Sequence, residues 1–228
     1  MVVPASLRPV RTSALLLGAA LVAWIVLVWR MRGMDAGPGT DLGGLGWWLG
    51  VWLTMTAAMM LPSVLPATLL FARLRERTAA FVLGYVAAWT GYGLAAYAVF
   101  RLLEGGGWPA WDRAGALVAG SAVVVAGLYQ LTPLKDACLR RCRTPLGYVV
   151  RGRGAVATGV EHGLYCVGCC WALMAALFAL GVMSLFWMSV VAAVIFAEKA
   201  LPRGVLLSRA FTAPLVVLGI AVAAGVSP

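Results

Sequence analysis

The chain has 228 residues, of which 63% are hydrophobic and only 11% charged, and its mean hydropathy is +0.94. A soluble domain of this size is close to half apolar and a quarter charged, so the composition excludes an ordinary soluble fold and points to an integral membrane protein. The formal net charge is +10, but the basic residues are spread over short segments between apolar runs; this pattern argues against a nucleic-acid partner and reads instead as a topology signal.

Apolar runs lie near 14–30, 46–71, 79–100, 114–132, 156–180, 183–200 and 208–226. They predict an all-α fold, a polytopic transmembrane helix bundle of about seven spans forming one integral membrane domain over 1–228. The first run has a long apolar core with Trp24 and Trp29, and no small-x-small cleavage site follows, so it reads as a span and not as a signal peptide. The connector 31–46 is rich in glycine, carries Asp35 and Asp41, and reads as a flexible external loop.

The second run contains Pro62 and Pro66, four residues apart. Each proline leaves the carbonyl four residues earlier without its usual donor, so a kink or break is expected here, with the Ala58 carbonyl freed. Broken membrane helices are tolerated where they are buried in protein or line a cavity, and in transporters they often lie at the substrate site. Met55 and Met59 stack one turn apart just before the prolines, with Met60 beside them. Each of these methionines alone reads as packing; together they offer soft ligands that would complete or extend a site.

Between the fourth and fifth runs, Thr132-Pro133 is a helix start, with threonine as N-cap and proline at the first helical position. Pro145 and Gly147 would end this short helix, expected over about 133–143. It places Cys138 and Cys142 one turn apart on one face, among Arg140, Arg141 and Arg143. Cationic neighbours favour thiolate over thiol, which suits metal exchange at the cytoplasmic face and equally suits a redox pair.

The fifth run holds the only histidine and three of the five cysteines, in the segment His-Gly-Leu-Tyr-Cys-Val-Gly-Cys-Cys-Trp-Ala-Leu-Met over 162–174. On a helix His162, Cys166, Cys169 and Cys170 fall within an arc of about 100° and along about 12 Å of axis. A lone buried cysteine is more often a packing residue. Three of them with a histidine on one face, at membrane depth, mark a site. Thiolate, thioether and imidazole together suit Cu(I) first and zinc second. The stretch 164–197 is too long for one crossing, so a turn is expected at Gly181 to Ser184. Folding back there brings Glu198 level with Cys166, where it reads either as a further ligand or as an ion-pair partner of Lys199 or Arg203. Glu161 points away from His162 and fits a loop arginine instead.

With seven spans, fourteen of the eighteen basic residues fall on the side shared by the N-terminus and loops 2–3, 4–5 and 6–7. Only Arg30, Arg32, Arg101 and Arg113 fall on the other. Positive-inside then places the N-terminus in the cytoplasm and the C-terminus outside.

Several segments also resemble the integral membrane proteins of domain-of-unknown-function family 2182, described as predicted metal-binding membrane proteins. They are Ala58-Met59-Met60-Leu61-Pro62, Tyr129 to Lys135, Cys138 to Arg143, His162 to Met174, Gly181-Val182-Met183 and Glu198-Lys199, in order over residues 58–199. The resemblance implies a polytopic metal-binding membrane protein, and delivery of copper to a copper enzyme. Together with the residues it gives the expected function: a protein of the bacterial inner (plasma) membrane, surrounded by lipid, that binds Cu(I) for transport or for delivery to a copper enzyme or copper chaperone. The metal ligands expected are His162, Cys166, Cys169, Cys170, Cys138, Cys142, Met59, Met60 and Glu198. No Walker A loop is present, so pumping would need a gradient or a partner. Two alternatives stand beside this reading: a membrane thiol–disulfide oxidoreductase using Cys166 and Cys169, and a structural metal site in a larger complex.

Overall fold

The second apolar run is apolar all round, as a helix buried on every side must be. In the computed structural model, which describes residues 8–32, 43–105, 113–151, 154–181 and 184–225, it forms the helix Leu45–Leu74 at the centre of the bundle. Among the described residues every regular element is a helix: α1 (Arg8–Met31), α2 (Leu45–Leu74), α3 (Thr78–Gly105), α4 (Arg113–Tyr129), α5 (Pro133–Arg143), α6 (Leu146–Val150), α7 (Ala155–Gly181), α8 (Leu185–Ala200), α9 (Gly204–Ala210) and α10 (Thr212–Ala223). The most apolar stretch of α2 is 67% buried, against 22% for α1 and 17% for α9–α10, which therefore lie at the periphery. Their outward faces carry exposed Leu15, Leu21, Ile25, Val217 and Ile220, side chains that suit a lipid surrounding.

Among the described residues, five helical stretches are long and apolar enough to cross a membrane: α1, α2, α3, α7 and the α9–α10 stretch Gly204–Ala223. A sixth is added if α4 and α5, bent by 66° across residues 130–132, count as one broken span. The expectation of seven thus exceeds what length and composition support. The difference comes from α4 and α8, with 17 and 16 residues. At 1.5 Å per residue α8 reaches about 24 Å, short of a hydrocarbon core of roughly 30 Å. Its start is set by Ser184, whose hydroxyl accepts from the Trp187 amide. The connector residues 33–42 and 106–112 and the turn residues 182–183, with Met183, lie outside the described residues.

The prolines of α2 do not break it, and the helix runs continuously past Pro62 and Pro66. The Ala58 carbonyl, which Pro62 deprives of an amide donor, accepts the Trp24 indole N–H of α1 at 3.1 Å. An indole from a neighbouring helix thus satisfies the freed acceptor, as a buried carbonyl requires.

Small residues set the closest helix contacts. A Cβ at Gly159 of α7 would lie 2.0 Å from the Phe81 carbonyl oxygen of α3, and one at Gly84 would lie 2.2 Å from the Val156 oxygen. Gly159 and Gly163 form a Gly-xxx-Gly step on α7, the spacing that lets two membrane helices meet backbone to backbone. The same device joins α4 to α10, where a Cβ on Gly120 would lie 2.4 Å from the Gly219 oxygen.

The two ends of the bundle differ in chemistry. One is filled by aromatics: Trp48 and Phe178 have ring centroids 5.4 Å apart, and Trp52 donates its indole N–H to the Trp89 carbonyl at 2.9 Å. The other gathers the C-terminal ends of α2 and α8, the N-terminal ends of α3 and α7, and the short helices α5 and α6. There Phe71 of α2 stacks on Phe81 of α3 at 4.8 Å, and Arg143 of α5 donates to the carbonyls of Glu198 and Pro202 at 2.5 and 3.2 Å. The cysteines and the histidine belong to this second end.

Candidate metal centre

The Gly-xxx-Gly step of α7 includes the histidine. With no side chains at 159 and 163, α7 presses against α3, and His162 is carried into the interior between the Phe81 and Tyr85 rings, at 5.9 and 5.7 Å. Its Nδ1 is hydrogen-bonded to the Tyr148 hydroxyl of α6. That contact directs Nε2 to the interior, where it lies 4.0 Å from the Cys142 sulfur. Holding the other ring nitrogen is how proteins orient an imidazole for a ligand.

One turn further along α7, Cys166, Cys169 and Cys170 are all buried. The Cys169 and Cys170 thiols donate to the Cys166 carbonyl at 3.1 and 2.8 Å, and their sulfurs are 3.9 Å apart. The Cys166 sulfur is 3.0 Å from the Tyr85 hydroxyl.

The helix α5 begins as Thr132-Pro133 predicts, with the threonine hydroxyl accepting from the Lys135 amide. What the local pattern does not contain is its destination. The 66° bend after α4 lays α5 across α7, with Cys138 against Gly168, where a Cβ would come 2.7 Å from the Cys138 sulfur. Cys142 is then buried, with its sulfur 4.0 Å from His162 Nε2. Cys138 packs at Gly168 and Cys142 beside His162, so both sulfurs lie against α7. All five cysteines are free thiols. Among the described residues, no group of three or more His, Cys, Asp or Glu side chains is placed to hold a metal ion. The thiols and the imidazole are soft donors gathered at one end of the bundle.

Glu198 is placed near this set but faces elsewhere. Both its oxygens accept from Lys135 Nζ, at 3.0 and 2.8 Å, with the two side chains 2% and 0% exposed. Lys135 also donates to Gln130, whose oxygen accepts from Ser208 of α9 at 2.9 Å. Asp136 pairs with Arg209 at 2.9 Å. This buried polar clamp ties α4, α5, α8 and α9 together, and it uses the carboxylate that the sequence offered as a ligand. The ion-pair partner is Lys135, not Lys199 or Arg203.

Lys199 turns to the thiols instead. Its ammonium donates to the Cys166 sulfur at 2.9 Å and to the Ser63 hydroxyl at 3.2 Å. Ser63 in turn donates to the Met60 carbonyl at 2.9 Å and lies 4.0 Å from the Met60 sulfur. Met59 and Met60 are both buried, so the proline-bearing part of α2 faces the α7 cysteines through Ser63 and Lys199. As loop charges Lys135 and Lys199 would face solvent; instead Lys135 is fully buried and Lys199 part-buried against Cys166. The signal that would have found them is their place at the edge of apolar runs, where an ionisable residue is a site marker by default. Tyr85 and Tyr148 carried no such signal.

A small cleft lined by Arg141, Thr144, Gly147, Tyr148, Arg151 and Glu161 reaches from the surface to Tyr148, directly behind His162. Arg141 donates to the Tyr165 hydroxyl at 2.6 Å. The Tyr148 ring, which lines this cleft, lies 5.9 Å from the imidazole, centroid to centroid.

Residues 49–222 match the family PpoB2, described as a copper chaperone. The chain belongs to this copper chaperone family. The match takes in every helix that contributes to the thiol–imidazole cluster, from α2 to α10, and leaves out α1. The family is of the domain-of-unknown-function 2182 type that the motifs resemble. No curated protein and no solved structure matches the chain.

Proposed function

We propose that this copper chaperone family member is a single polytopic domain of the bacterial inner membrane that binds Cu(I) at a buried thiol–imidazole site and hands it to a copper enzyme or chaperone. The observation that carries this reading is the placement of Cys142 of α5 beside His162 of α7, one turn before the buried Cys166, Cys169 and Cys170. Two different helices supply soft donors to one region, and the family's description names copper. Cys142, His162, Cys166, Cys169 and Cys170 form the inner ligand set. Cys138, half-buried at Gly168, receives or releases the ion at the edge. Met59 and Met60 extend the soft surface along α2. Glu198 holds Lys135 and thereby the position of α5. Binding displaces thiol protons, so affinity rises with pH. The family description names copper and gives no support to zinc, to the thiol–disulfide enzyme or to a purely structural metal.

The test is elemental analysis of protein purified reduced and without chelator. Copper should copurify, and Cys166→Ser/Cys170→Ser should lower its content by about tenfold or more while the helical content holds. Copper content unchanged in the double variant would sink the assignment.

Topology follows from the same reading. The connectors α2–α3, α4–α7 and α8–α9 meet at the thiol end, where the basic residues concentrate, and we place that end in the cytoplasm. With seven crossings, α4 and α8 included, a reporter fused after Pro228 should be active only outside the cytoplasm. A cytoplasmic signal would mean that α8 or the α4–α5 pair does not cross.

A further inference from the structure

Lys199 contributes nothing to coordination, yet it holds the most connected sulfur of the cluster. Its ammonium lies 2.9 Å from Cys166 and 3.2 Å from Ser63, while the adjacent Glu198 is committed to Lys135. A cation is thus built into the wall of a cation site. We propose that Lys199 is a specificity-determining residue, whose fixed positive charge makes the site favour a monovalent metal ion over a divalent one. The inference rests on the copper-binding reading above and deepens it.

The physics is a difference of charges. A metal ion bound to the Cys166 sulfur at about 2.3 Å would be no more than about 5 Å from the ammonium in its present position. For the same sulfur and nitrogen ligands, the attraction between Lys199 and those ligands is common to both metals. The repulsion between Lys199 and the ion scales with the ion's charge, so Zn(II) meets twice the penalty that Cu(I) meets. The Cys166 sulfur is buried and the ammonium part-buried, so salt screens this repulsion less than it would between two exposed charges. Ser63 gives the ammonium a second partner to lean on when the metal takes its place at the sulfur.

The experiment compares Cu(I) and Zn(II) affinities in the full chain, reduced and in detergent, by competition with chromophoric chelators for each ion. In Lys199→Leu, which removes the charge without adding a ligand, the Cu(I)-to-Zn(II) affinity ratio should fall by about tenfold or more, mostly through tighter zinc binding. Lys199→Arg, which keeps the charge, should keep the ratio. If the leucine variant fails to fold, Lys199→Gln takes its place. An unchanged ratio in the neutral variants, with copper still lost on Cys166→Ser, would overturn the role of Lys199 and leave the copper site standing. A ratio lost equally in Lys199→Arg would also overturn it, because geometry and not charge would then be responsible. A native chain that binds no Cu(I) would overturn the proposed function, and this inference with it.

Discussion

Lys135→Met should destabilise the protein by about 3–5 kcal/mol, the cost of leaving a buried carboxylate without its cation. The Glu198 carboxylate accepts two hydrogen bonds from Lys135 Nζ, and neither side chain is reachable by solvent to any useful extent. Removing the lysine also strips Gln130 of a donor in the chain that ends at Ser208. Lys135→Met/Glu198→Leu removes both charges at once and should recover most of the loss, since a buried ion pair and a well-packed apolar pair differ little in net stability. Thermal unfolding in detergent measures both. Equal destabilisation in the single and double variants would mean that the pair is replaceable packing. The copper content of the double variant asks a second question, whether the clamp also positions α5 and Cys142.

Gly159→Leu should prevent assembly of the α3–α7 pair. The Cβ alone would be 2.0 Å from the Phe81 oxygen and 2.8 Å from its carbonyl carbon, and backbone cannot rotate away as a side chain can. The helices would have to separate, opening the packing around His162, and the expected loss exceeds about 4–5 kcal/mol, the range reserved for severe core disruption. Gly91→Leu on α3 is the control, because nothing lies within 4 Å of its Cβ position. Yield and melting temperature should collapse in the first variant and hold in the second. A stable Gly159→Leu protein with intact copper binding would show that α3 and α7 tolerate a wider spacing than the structure gives them.

The features legible in the sequence are those whose cause is local. His162, Cys166 and Cys170 recur at helical spacing, so their common face on α7 follows from 3.6 residues per turn. The start of α5 follows from the threonine hydroxyl and the proline ring at 132–133. At the prolines of α2 the freed Ala58 carbonyl follows from local chemistry, but the indole of Trp24 that occupies it comes from another helix. The span count is legible only in part, since hydropathy marks apolar runs but not the length of a helix such as α8, which starts at a cap on Ser184.

By itself, then, the sequence determined that this chain is an all-helical, apolar protein with a line of thiols and one imidazole along a single helix, because composition and helical periodicity need no tertiary contact. The tertiary structure decided which groups share that line. The bend between α4 and α5 brought Cys142 to His162, and the packing of α8 against α2 and α7 gave Glu198 to Lys135 and Lys199 to Cys166. Residues one position apart on α8 point about 100° apart, so neighbours in sequence were sent to different partners. Only the rotation and depth of the packed helix could settle which of them met the thiols.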